Sequence, residues 1–371
     1  MLGRLFPFVM LVPMCGAIAG CPGQPAKDSC SPPVPKPEAR AERVAVKGLC
    51  ETLHIGGRCG PIAVAPSGDV LAVGTWGRGA PGSVSDGAVR GSAHRVKVWV
   101  AADCRSLAFS PTAPLFAGAS RASSGGLVRG WDAGEGRELF SLAHTRVPAS
   151  IAFSPDGKTL AAAEGPCVRF WDIQTLRSRL VFDQRRSAFS AGPIPCDVRQ
   201  IRYSPDGRML AILVPEGPIL WDVGTERERA LIPVRNYGTL AAAFSPDGSS
   251  LAVVDSRGIV YLCDPAAFCV VRELDQRHEG TATCLCFSPD GSLLAAALPF
   301  HVHAPSRLVV WDVRTGNELA AFVCHEEYMG DVAFFPDGKR IATAGADACV
   351  RIWDVAAITG NGGSGDAPDE R

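Results

Sequence analysis

Residues 151–172 read IAFSPDGKTLAAAEGPCVRFWD, and the fold follows from them. Two short apolar runs flank Ser154-Pro155-Asp156-Gly157, and a third closes on Trp171-Asp172. Pro155 presets φ for the second turn position, Asp156 can hydrogen-bond the backbone ahead of it, and Gly157 accepts the positive φ that closes the turn. The flanking runs have strand length, not helix length. Trp171 ends the third run with a large apolar ring, and Asp172 is placed to cap the turn after it. A unit this small cannot bury both faces of its sheet alone, so it must stack on copies of itself.

The copies can be counted. The turn prolines or their equivalents are Pro66, Pro111, Pro155, Pro205, Pro246, Pro289 and Pro336, spaced 45, 44, 50, 41, 43 and 47 residues apart. The closing pair returns as Trp131-Asp132, Trp221-Asp222, Trp311-Asp312 and Trp353-Asp354, with Cys263-Asp264 as a substituted copy. In period and in its Trp-Asp signature the chain resembles the WD40 repeat family. The resemblance covers roughly residues 49–355 and implies an all-β fold: a seven-bladed β-propeller of four-stranded antiparallel blades. Small residues such as Ala161, Ala162 and Ala163 suit strands crowded toward a central axis, and no stretch keeps a helical period.

The two ends of the repeat array set further expectations. Only 12 residues separate Trp99 from Pro111, so the third strand of the first blade is expected at residues 87–91, with Trp99 on the outermost strand. After Trp353-Asp354 too little chain remains for another strand, because residues 360–365 are rich in Gly. The segment Leu49–His54 is therefore expected to supply the outer strand of the last blade and close the ring.

The domain plan is residues 1–20 as a signal peptide, 21–47 as a tether, 48–356 as the propeller and 357–371 as a disordered tail. Arg4 precedes an uncharged apolar run, residues 5–18, too short for a membrane span but suited to a signal-peptide core. Ile18-Ala19-Gly20-Cys21 resembles the bacterial lipobox, which implies lipid on Cys21 and anchoring on the extracytoplasmic side of a bacterial membrane. Six prolines between residues 22 and 37 give a semi-extended tether. With 47% apolar and 20% charged residues the chain can build a large core. A balance of 37 basic against 38 acidic residues offers no electrostatic footprint for nucleic acid.

His325, Thr343, Asp347 and Trp353 match the family's structural tetrad, in which Asp orients the imidazole, the imidazole meets the hydroxyl, and the hydroxyl accepts from the indole N–H. A catalytic Thr-His-Asp reading is weaker, since the tetrad lies within blade packing. His144 and His278 keep the His position, but Gly165 and Arg257 replace the Asp, so those blades are expected to rely on apolar packing. Of the 14 cysteines, 13 lie in the expected mature chain; Cys21 is assigned to lipid, and the others read first as small buried residues. A Cys50–Cys59 bridge is the sharper alternative. No paired Cys-x-x-Cys spacing supports a metal, His301-x-His303 is a weak pair, and no cofactor is implied.

Loop lengths carry the functional reading. Long connections at residues 75–86, 119–125, 183–196 and 298–305 are expected on one face, presenting Trp76, Arg78, Arg185, Arg186, Phe189, Phe300 and His301. These residue types are enriched at protein interfaces. A monomeric, non-enzymatic platform for other proteins follows. The other readings are an enzyme or ligand-binding protein using the central funnel, and a cytosolic adaptor of the same family.

Overall fold

The computed structural model describes residues 48–76, 83–86, 96–189, 196–234, 238–274, 282–299 and 305–360. The chain divides into Met1–Val44 and Ala45–Arg371, and every described residue belongs to the second unit. The signal peptide, Cys21 and the tether thus lie outside the described residues.

Seven four-stranded sheets form the ring, here numbered as blades 1–7 in chain order. Between consecutive sheets lie seven apolar clusters, one for each pair of neighbours, including one joining blade 7 to blade 1. The two-residue period of a strand divides these duties. On Thr159–Glu164, Ala161 and Ala163 pack toward blade 4, whereas Ala162 packs toward blade 2. Each sheet therefore has two buried faces, and the ring leaves neither uncovered.

The turn that defined the repeat is held as its residues require. Ser154 Oγ donates to Asp156 Oδ1 at 2.6 Å and accepts from Thr159 N–H at 3.0 Å, and Gly157 sits at φ +70°. Ser204, Ser245 and Ser288 repeat the bond to Asp206, Asp247 and Asp290. A Cβ on Gly207 would meet Pro155 Cδ at 3.4 Å, and Gly248 and Gly291 lie against Pro205 and Pro246 in the same way. These three turns rest on the proline of the blade before them, whereas Gly157 lies against Thr112.

The opposite ends of the inner strands are also coupled. Five residues before the turn proline, a side chain accepts a backbone N–H from the next blade. Ser106 Oγ takes Ile151 N–H (3.1 Å), Ser150 Oγ takes Ile201 N–H (3.3 Å), Gln200 Oε1 takes Ala242 N–H (2.7 Å) and Asp331 Oδ2 takes Ile62 N–H (3.1 Å). The last of these joins blade 7 to blade 1.

Closure is completed by Leu49–His54, which pairs antiparallel with Cys349–Asp354 as the outer strand of blade 7. Leu53 is 1% exposed and sits in the cluster shared with blade 1. The boundary expected at residue 356 falls inside a short helix, Val355–Thr359, capped by Asp354, whose carboxylate accepts from Ala357 N–H at 2.8 Å. Ile358 on this helix packs into the cluster between blades 6 and 7.

Blade 1 corrects the expected strand order. Lys97–Ala102, which carries Trp99, occupies the third position and pairs parallel with Val70–Trp76, while Val84–Asp86 forms the edge. Blades 2 to 7 are antiparallel throughout. The chain lays down the edge strand of blade 1 first, which is why so few residues are needed between Trp99 and Pro111. Trp99 is 5% exposed, and its indole N–H donates to Ala133 O of blade 2 at 2.7 Å. Asp103, at φ +48°, then turns the chain directly into the inner strand of blade 2.

Deleting residues 48–55 should lower the melting temperature sharply, and Leu53→Ala alone should cost about 2–5 kcal/mol in denaturant titration. An unchanged midpoint for either would show that the ring does not depend on this strand.

Candidate functional site: buried histidine networks and the channel mouth

The polar constellation of blade 7 is assembled at its interface with blade 6. His325 ends the outer strand of blade 6, and the other three residues come from blade 7. The His325 ring lies with Nδ1 2.9 Å from Asp347 Oδ1 and Nε2 2.8 Å from Thr343 Oγ1. Trp353 Nε1–H donates to the same hydroxyl at 3.0 Å. Arg351 Nη1 also lies 2.6 Å from Nδ1, so the ring meets both Asp347 and Arg351 on one side and the Thr343 hydroxyl on the other. Thr343 is 0% and His325 1% exposed, so no substrate reaches either, and the arrangement is a buried clamp between blades. Arg351 adds a bond to Asp347 Oδ2 at 2.6 Å. Burial pushes the Asp347 carboxyl up, but His325 and Arg351 outweigh it and hold the group at about 2.

Blade 3 departs from the apolar packing expected of it. His144 Nδ1 lies 3.0 Å from Glu164 Oε2, and Glu164 also accepts from the Thr145 hydroxyl and from Arg146 N–H. Burial lowers the His144 pKa, keeping the ring neutral, while the donors around Glu164 overcome its own burial and lower that carboxyl. The acid comes from the strand itself, in the place that Gly345 holds in blade 7. There a Cβ would meet the His325 ring at 2.2 Å, so the acid must reach in from the following turn. Sequence reasoning looked for the acid only in the turn and missed Glu164. What blade 3 lacks is the hydroxyl: Ala162 pairs with Arg169 as Thr343 pairs with Arg351. Both His144 Nε2 and Trp171 Nε1 are buried without a partner. Trp221 and Trp311 Nε1 are likewise orphaned in blades 4 and 6. His278 lies outside the described residues. In blade 5 the fully buried Asp255 accepts instead from Tyr261 Oη at 3.2 Å.

Around the axis the starts of the inner strands frame a cavity of about 200 Å³ that all seven blades line. Arg105, Arg199, Arg202 and Asp331 are its charged residues, and Trp76 stands at its edge. A second recess shares Trp76 and Arg105 and adds Asp103 and Arg121, so the two form one mouth. Trp76 is half-buried, packed over Gly60 and 6.1 Å from the Tyr328 ring. Arg105 and Arg199 were passed over in the sequence. The signal was available: both stand six residues before a turn proline, at the channel end of an inner strand.

Of the described residues among those expected on one face, only Trp76 lines this mouth. Arg185 and Arg186 are exposed in a 3-10 turn, Gln184–Arg186, beyond the outer strand of blade 3, with Arg185 paired to Asp183 at 2.7 Å. Arg186 lines a rim groove with Glu226, Arg227 and Glu228 of blade 4. Phe189 is partly buried in the cluster between blades 3 and 4, so it serves the core. The long connection expected at residues 119–125 is a tight turn, because the paired strands continue to Ala122 and Gly125. Arg78, Phe300, His301 and His303 lie outside the described residues.

The eleven described cysteines are free thiols, which removes the Cys50–Cys59 bridge. Burial pushes Cys59, Cys104 and Cys263 up to about 12, as expected of small inert core residues. Among the described residues no three His, Cys, Asp or Glu side chains converge on a metal-sized site.

Two predictions follow from the clamps. Asp347 has a folded pKa of about 2 against an ordinary 3.8, so its stabilisation is present above about pH 4 and is lost as pH falls toward 2. Asp347→Asn should remove about 2 kcal/mol of that acid-dependent loss in stability-versus-pH curves; a superimposable acid limb would contradict the assignment. Ala162→Ser should supply the hydroxyl missing between His144 and Trp171 and raise stability by about 1 kcal/mol, read by chemical denaturation. A loss of stability would mean that the two orphaned nitrogens do not share one vacancy.

Comparison with known proteins agrees with this architecture. A family model described as WD domain, G-beta repeat matches residues 136–172, 269–312 and 316–354. The first match spans the outer strand of blade 2 and three strands of blade 3, so the sequence repeat is offset from the blade by one strand. The chain is 26% identical over 115 residues to meiotic recombination protein rec14 of Schizosaccharomyces pombe, covering 31% of this chain and 36% of that protein. It is 34% identical over 117 residues to WD repeat-containing protein sll1491 of Synechocystis sp., 31% and 32% of the two chains. It is 24% identical over 211 residues to apoptotic protease-activating factor 1 of Mus musculus, 56% of this chain and 13% of that one. The matches span no more than 36% of any of these three relatives. With three repeats matched and seven blades built on one turn-and-strand plan, the chain carries WD40 repeats in a seven-bladed propeller.

Proposed function

We propose that the chain is a non-enzymatic platform, lipid-anchored through Cys21 on the extracytoplasmic side of a bacterial membrane, that binds another protein at the face where the channel mouth opens. Trp76 carries the reading: a large aromatic ring, half-exposed and backed by Gly60 and Tyr328, at the rim of the opening. Aromatic anchors held by a rigid scaffold are the usual centres of protein interfaces. Trp76 borders both the cavity of about 200 Å³ and the recess of about 460 Å³, so one ring serves the whole mouth. WD repeat proteins generally serve as protein-interaction scaffolds, in keeping with this reading. The anchor rests on the apolar run at residues 5–18 and the Ala19-Gly20-Cys21 motif.

Crosslinking in intact cells followed by capture of the chain should recover a protein partner with the wild type and with the rim variant Arg186→Ala, and lose it with Trp76→Ala. Undiminished capture by Trp76→Ala, or no captured protein at all, would refute the mouth as the binding face. In the same preparations Cys21→Ser should move the chain from the membrane to the soluble fraction; continued sedimentation with membranes would remove the lipid anchor from the account.

A further inference from the structure

The channel mouth carries a charge that the rest of the chain does not. Overall the sequence is balanced at −1. Among the described residues that line the mouth, Arg105, Arg121, Arg199 and Arg202 stand against Asp103 and Asp331, four cations to two carboxylates. Elsewhere on the surface arginines meet carboxylates, as in Arg146–Asp197, Arg208–Asp206 and Arg229–Asp222. Among the described residues no carboxylate pairs with Arg105, Arg121 or Arg199, and Arg202 hydrogen-bonds the Ile201 carbonyl at 3.1 Å. Asp331 is committed already: it accepts from Ile62 N–H, from Val332 N–H at 2.9 Å and from the Cys284 thiol. Its oxygens tie blades together and offer little to the arginines.

We propose that the mouth binds an acidic, extended segment of the partner protein, whose Asp or Glu carboxylates take the guanidinium groups while an apolar side chain between them lies on Trp76. Arg105 and Trp76 border both recesses, so a segment crossing from one to the other passes that cation and that ring, with Arg199 and Arg202 in the first recess and Arg121 in the second. Guanidinium groups bind carboxylates through paired donors, and free ones need not first break an internal ion pair. The arginines stand on two blades, Arg105 and Arg121 on blade 2 and Arg199 and Arg202 on blade 4, so carboxylates spread along a segment match them better than a charge concentrated on one phosphorylated side chain.

The inference rests on the reading that this face binds a protein, and its test separates the two. The probe is a fluorescent nine-residue peptide rich in Glu with one central Leu, titrated against the full chain in detergent and read by anisotropy at low salt. A counterpart with Gln for every Glu and one with phosphoserine for every Glu serve as comparisons. The Glu peptide should bind, with the Gln peptide weaker by at least about tenfold. Arg105→Gln with Arg199→Gln should weaken the Glu peptide by a similar factor without moving the melting temperature, and added salt should weaken it further. No binding of the Glu peptide, equal binding of the Gln peptide, or undiminished binding by the double variant would overturn the proposal. Tighter binding of the phosphoserine peptide would overturn the assignment to carboxylates. A chain whose partner capture depends on Trp76 but ignores the two arginine substitutions would keep the platform and lose the acidic segment.

Discussion

The structure depends on one constraint: each inner strand must hold the next one around the axis. A blade has two buried faces and no core of its own, so every interface is shared and any open interface exposes both partners. The sequence meets this at both ends of the strand. At the turn end, glycines such as Gly207 and Gly248 lie against the proline of the preceding blade. At the channel end, Ser106, Ser150, Gln200 and Asp331 accept backbone N–H groups from the following blade. The apolar clusters between blades supply most of the stabilising area, and these directional contacts set the register in which the sheets meet.

Against that background the uneven loss of the histidine clamps has a physical logic. Among the described residues only blade 7 brings all four groups together, and it is the blade whose outer strand comes from the other end of the chain. Trp353 belongs both to the clamp and to the strand that pairs with Leu49–His54. Blades formed from continuous chain have their strands tethered by short turns and tolerate an orphaned indole N–H, each costing about 1–3 kcal/mol. Blade 3 stands between these cases, with a satisfied His-Glu pair and a missing hydroxyl.

The same ring of inner-strand contacts shapes the candidate binding surface. Ser106, Ser150, Gln200 and Asp331 line the mouth that the arginines border, so the cations project from strands already locked to their neighbours. A surface held in this way loses little conformational entropy when it binds. The rim turn at Gln184–Arg186 differs: its arginines are exposed, and Arg185 is occupied by Asp183.

The sequence by itself determined the seven turns, the antiparallel plan of six blades, the closing strand at Leu49–His54 and the clamp of blade 7. These are written in Pro and Gly torsions, in strand alternation, in repeated spacing and, for the clamp, in a match to the family's pattern. Tertiary structure decided the rest. Strand order in blade 1 depends on which of two short segments lies beside Val70–Trp76, and spacing bounds that choice without making it. Glu164 replaces the expected turn acid because a longer side chain one residue earlier reaches the same imidazole. Trp76 and Arg186 part company, one at the axis and the other at the rim, because shared loop type says nothing about distance from the axis. Each of these outcomes turns on which segment lies beside which, how far a side chain reaches and how near the axis a loop stands, none of which spacing along the chain encodes.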